Sequence, residues 1–153
     1  MQTNENLKML GQVDLVLKDK DGTVKDSREI KNLVVNTGLA FIISRMSGTT
    51  KGVMSYMALG SSTTAAAASQ TDLLTMLGSR EVIDSTTISG TNNEKIVYVS
   101  SFEAGKATGA VTEAGIFNAS TAGDMLCRTV FPVVNKQADD TLSITWTLTL
   151  SAV

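Results

Sequence analysis

The feature that most constrains this chain lies near its C-terminus. Leu142, Ile144, Trp146, Leu148 and Leu150 alternate with Ser143, Thr145, Thr147, Thr149 and Ser151. An unbroken period of two puts one row of side chains on each face of an extended strand, so this segment predicts a strand with an apolar face and a hydroxylated face. The apolar row needs a second layer to cover it, which favours packed sheets. The Ser/Thr row suits a solvated or subunit-facing surface.

The rest of the chain supplies that layer. Val13, Leu15 and Leu17 alternate with Asp14, Val16 and Lys18. Asp19-Lys20-Asp21-Gly22 then reads as a turn in which Gly22 provides the positive φ. A second strand runs from Val24 toward Leu33 and Val35. After Asn36-Thr37-Gly38, the residues Leu39, Ile42, Ile43 and Met46 fall at i, i+3, i+4 and i+7. That spacing predicts a short helix with Thr37 as N-cap and Gly48 just past its end. Tyr56 to Leu59 is a short strand ending at Gly60, and Ser61 to Gln70 is a Ser/Thr/Ala-rich surface loop. Leu73, Leu74 and Leu77 behind Thr71-Asp72 point to one further helical turn.

Two more hairpins follow: Arg80 to Ile88 with Lys95 to Phe102, and Glu113 to Asn118 with Met125 to Val134. Pro132 belongs at a strand end or on a sheet edge. About seven or eight short strands with regular turn signals predict an all-β fold with one or two short helices, a β-sandwich of jelly-roll-like kind. Residues 1–11 read as an N-terminal arm and residues 12–153 as a single sandwich domain. In the arm, Leu7, Met9 and Leu10 would gain from burial against a neighbouring subunit. The core is expected to include Trp146, Leu148, Phe117 and Phe131.

Composition narrows the function classes. The 153 residues are 42% hydrophobic and 18% charged, which is a globular balance. A net charge of -2 and the lack of a Lys/Arg cluster argue against nucleic-acid binding. The absence of histidine removes the commonest general base and metal ligand, and with them Ser-His-Asp and Cys-His catalysis. Cys127 is the one cysteine, so no intrachain disulfide forms, which suits a reducing cytoplasm. No apolar run approaches the roughly 20 residues of a membrane span. The opening MQTNENLKML carries no signal-peptide core, so a soluble protein outside the classical export route is expected.

Each candidate for chemistry meets a plainer explanation. Asp19-Lys20-Asp21-Gly22 begins like a calcium loop, but the twelfth position is Ile30 where a glutamate is needed, so it reads as a hairpin turn. Cys127 sits in a strand-like run with no activating histidine and reads as a buried thiol. Glu103 and Glu113 form a conceivable carboxylate pair with nothing to fix their separation. Arg128 can instead pair with Glu113 across neighbouring strands. Asn118-Ala119-Ser120 matches a glycosylation sequon but reads as a turn. Gly105 to Gly109 lacks the Lys-Ser/Thr ending of a phosphate loop. Met46, Met54, Met57 and Met76 read as core filling. No catalytic, cofactor or metal site is therefore expected, and the chain reads as non-enzymatic.

One ordered set of motifs goes beyond pattern. Asn32-Leu33-Val34-Val35-Asn36-Thr37-Gly38 leads a helix and is followed by Ala58-Leu59-Gly60-Ser61-Ser62-Thr63-Thr64-Ala65. Thr112-Glu113-Ala114-Gly115-Ile116-Phe117, Leu126-Cys127-Arg128-Thr129-Val130-Phe131 and Leu142-Ser143-Ile144-Thr145-Trp146 come next. Over roughly residues 30–150 this order resembles small structural proteins of tailed bacteriophage virions. The resemblance implies a β-sandwich, usually a homotrimer, in a virion assembled in the bacterial cytoplasm. Similar chains occur both as head decoration (cement) proteins and as tail or baseplate components; the first reading is a capsid decoration protein bound to the major capsid protein, with neither nucleic acid nor membrane expected as partner. The alternative is a tail, baseplate or fibre component, which could touch the host surface.

Overall fold

The computed structural model describes residues 6–48 and 50–152. Its elements are β1 (Leu7–Lys18), β2 (Val24–Lys31), β3 (Leu33–Val34), α1 (Asn36–Met46), β4 (Tyr56–Gly60), β5 (Glu81–Val82), β6 (Ser85–Ser89), β7 (Lys95–Phe102), β8 (Gly109–Phe117), β9 (Met125–Lys136) and β10 (Thr141–Ala152). All strand pairing is antiparallel, in two five-stranded sheets ordered β2-β1-β10-β7-β6 and β3-β9-β8-β4-β5. The chain is the all-β sandwich expected from its alternation.

Strand β10 is the centre of the first sheet. It pairs with β1 from Leu7↔Ala152 to Lys18↔Thr141 and with β7 from Leu142↔Phe102 to Thr149↔Lys95. Its apolar row faces inward, where Leu142, Ile144, Trp146 and Leu148 join Val13, Leu15 and Phe102 against Met57, Ile116 and Phe131 of the second sheet. Each such side chain contributes about 1.5–3 kcal/mol by leaving water. The four residues named for the core are all buried, with Trp146 and Phe117 at 0% exposure. Phe117 lies in a separate small cluster with Val35, Ala58, Leu73 and Met125.

Several expectations need correction. The arm is not distinct over residues 7–11, because Leu7 to Gly11 pair with Ala152 to Leu148 and extend β1. Residues 1–5 of that arm lie outside the described residues. The second strand stops at Lys31 and resumes as β3 in the other sheet. At the crossing, Asn32 Oδ1 accepts the Trp146 indole N–H (3.1 Å), and the Lys31 carbonyl accepts from the Thr129 hydroxyl (2.7 Å). The strand foreseen from Arg80 to Ile88 likewise splits into β5 and β6, one in each sheet.

Helix α1 is capped by Val35 without a side-chain bond. Thr37 instead donates to the Met125 carbonyl (2.7 Å), tying the helix to β9. Gly48 does follow the helix, with φ +75° and its N–H on the Arg45 carbonyl. Pro132 sits inside β9, beyond the part paired with β3, where β9 shifts register against β8 and Phe131, Pro132 and Val133 face Thr112. Arg28 of β2 covers this open edge, donating to the carbonyls of Pro132 and Val133.

The helical turn expected at Leu73 to Leu77 does not form. That segment runs along β4 instead, with Ser61 N–H on the Thr75 carbonyl and Leu77 N–H on the Leu59 carbonyl (both 2.8 Å). Residues 61–77 thereby cover the outer face of the second sheet.

Candidate interaction surface

The covering segment is pinned by the most buried charges in the fold. Glu113 and Arg128 lie on the paired strands β8 and β9, and both side chains are fully buried. Arg128 Nε donates to Glu113 Oε2 (2.9 Å), and Nη2 lies 2.7 Å from the same oxygen without a directed hydrogen bond. Glu113 also accepts from the backbone N–H groups of Ser62 (3.2 Å), Leu74 (3.2 Å) and Thr75 (2.8 Å). Arg128 Nη1 donates to the Thr64 carbonyl (3.0 Å) and to Gln70 Oε1 (2.9 Å). Gly60 allows the close approach, since a Cβ there would lie 2.4 Å from Glu113 Oε1. The foreseen cross-strand pair is therefore present, but as a buried strut that fixes a loop of low sequence complexity.

A second buried cation escaped the sequence reading. Arg80 stacks on the Phe117 ring at 3.6 Å and donates to the carbonyls of Ala119 (2.8 Å) and Ala122 (2.7 Å). It holds the turn between β8 and β9, with Asp72 beside it at 3.2 Å. Asn118 braces the same turn, its Oδ1 accepting the Asp124 N–H (2.7 Å), which agrees with its reading as a turn residue. Lys136 is also buried. Its ammonium donates to the Glu103 carbonyl (3.0 Å), and burial lowers its pKa, opposed by Asp140.

The remaining candidates are not brought together. Asp19 Oδ1 accepts the N–H groups of Asp21 and Thr23 (both 2.9 Å) inside its own turn, and Gly22 has φ +83°. Among the described residues, no group of three His, Cys, Asp or Glu side chains is placed to hold a metal ion. Cys127 is fully buried, which pushes its thiol pKa well up and disfavours the reactive thiolate. Burial likewise pushes Tyr98 up to about 12, with a smaller contribution from Cys127. Glu103 is exposed while Glu113 is enclosed, so the two share no cleft. Gly105 to Gly109 forms the turn between β7 and β8, with the Gly105 N–H on the Ala138 carbonyl (2.7 Å).

The unexpected feature is apolar. Helix α1 buries Gly38 and Phe41, whereas Leu39, Ile43 and Met46 are 51%, 64% and 81% exposed. Met54 and Met57 fill the core as expected, but Met46 and Met76 do not. Beside α1 the inward row of the first sheet runs on past the second sheet, leaving Leu7 and Leu150 exposed. Between them lies an open groove of about 540 Å³ lined by Leu7, Met9, Leu33, Leu39, Ile43 and Leu150 among others, with no charged side chain in its wall among the described residues. Among the described residues no helix is long and apolar enough to cross a membrane.

Comparison with protein-family models, curated proteins and solved structures found no match to this chain.

Proposed function

We propose that the chain is a non-enzymatic structural protein of a tailed-bacteriophage virion, acting as a capsid decoration protein bound between major capsid subunits as a homotrimer. The order of motifs from Asn32 to Trp146 supports this reading. The observation that carries it is the outward apolar face of α1 and β1 on an otherwise tightly braced sandwich. A monomer rarely exposes a contiguous apolar patch of this kind without a partner for it. A loop pinned by a buried ion pair suits a part that must keep its shape under load. Modest affinity per copy is sufficient on a repetitive shell, because linked contacts multiply. A trimer would match a local three-fold axis.

Stoichiometry in purified particles tests the proposal. Hundreds of copies per particle are expected. A few to some tens would move the protein to the tail, baseplate or fibre. Its loss from washed particles would refute a virion role.

A further inference from the structure

We propose that the apolar face shared by α1 and the overhanging end of the first sheet is where copies of this chain join. This rests on the trimer named above only in supplying its surface, and it is testable without a particle.

Besides its core face, the helix carries an apolar stripe, Leu39, Ile43 and Met46, on the side turned from the core. An amphipathic stripe normally faces what buries it, and nothing among the described residues does. Leu7, Leu33 and Leu150 continue the face onto the sheets. From their exposures, these six side chains leave roughly 600 Å² of apolar surface, at the upper end of what monomers show and approaching the roughly 800 Å² per partner of a stable interface.

Among the described residues the wall of the groove carries no charge, which suits an apolar occupant. A partner met only on a particle would leave the face bare while the protein is in solution. A second copy brings an equally apolar face and is always at hand, and contacts between identical subunits are the more apolar class of interface.

Sedimentation velocity and light scattering on the full chain at micromolar concentration decide the matter. The wild type is expected as a defined oligomer with a concentration-dependent melting temperature, and Ile43→Glu as a folded monomer with unchanged circular dichroism and a melting temperature independent of concentration, since that residue is 64% exposed within the chain. Should Ile43→Glu lose its helix, Leu39→Ser gives the same reading with a milder change. Val24→Glu, at an exposed site on β2, should leave the oligomer intact. A monomeric wild type, an Ile43→Glu or folded Leu39→Ser variant of undiminished size, or equal loss in Val24→Glu would each overturn the interface. Occupancy on particles is read separately. A monomer that still fills particles overturns this interface and leaves the proposed function standing; an oligomer absent from particles does the reverse.

Discussion

Replacing Arg128 with methionine tests whether the buried ion pair is the strut that holds the segment 61–77. The substitution keeps most of the apolar volume. It deletes the contacts to Glu113, the Thr64 carbonyl and Gln70, at 2.7–3.0 Å. Glu113 would remain enclosed with three backbone donors and no counter-charge. Breaking a fully buried pair from one side costs about 3–5 kcal/mol. At roughly 2–4 °C per kcal/mol for a chain of this size, the melting temperature should fall by about 6–20 °C. Lys51→Ala sets the scale for a surface pair: it removes a 2.8 Å contact to Asp124 between side chains 40% and 22% exposed. That loss should cost about 0–1 kcal/mol. Urea unfolding of both variants gives the comparison, and native-state hydrogen exchange locates the loss. Protection should fall first at the amides of Ser62, Leu74 and Thr75, the groups held by Glu113. An Arg128→Met cost below about 1 kcal/mol, or one equal to that of Lys51→Ala, would refute the strut.

Trp146→Ala should cost about 3–5 kcal/mol, because the ring is fully buried and its indole N–H is bonded to Asn32. Denaturant titration measures it, and native Trp fluorescence readily quenched from solvent would contradict the assignment. Acid stability should depend on Asp140, whose pKa is lowered first by the Lys25 ammonium at 2.7 Å and next by the Gln137 N–H. A carboxyl lowered on folding stabilises above its unfolded pKa, and that contribution fades as pH falls through the folded value. Asp140→Asn should therefore be less stable than wild type near neutral pH and converge on it in acid. A gap that stays constant with pH would show that the carboxylate charge is not involved.

The sequence made the frame legible because alternation and turn chemistry are local. Strand β10, the β1–β2 turn at Gly22 and the hairpins β6–β7 and β8–β9 all follow from residues within a few positions of one another. The misreadings occur where a distant partner decides. Leu73 to Leu77 has helical spacing, but Glu113 takes the Leu74 and Thr75 N–H groups and Leu59 of β4 takes that of Leu77. Asn32 ends β2 through Trp146, which lies 114 residues away. The buried roles of Arg80 and Lys136 left no periodic trace, because a single cation in a strand reads as a solvated side chain until its carbonyl partners are known.

The helix shows the same limit most clearly. Periodicity located α1 and its apolar stripe, but it could not say which face meets the core. Gly38 decides that. A Cβ at this position would lie 2.0 Å from the Leu126 carbonyl oxygen, so the helix backbone rests directly on β9 through a site only glycine can occupy. Glycine inside a helix costs about 0.5–1 kcal/mol relative to alanine. Close approach at Gly38, the burial of Phe41 and the Thr37 bond to Met125 offset that cost and fix the rotation of the helix about its axis. With the rotation fixed, Leu39, Ile43 and Met46 have no route to the core. Their exposure is thus built into the packing of α1, and it is on this outward face that the proposed contact between copies falls.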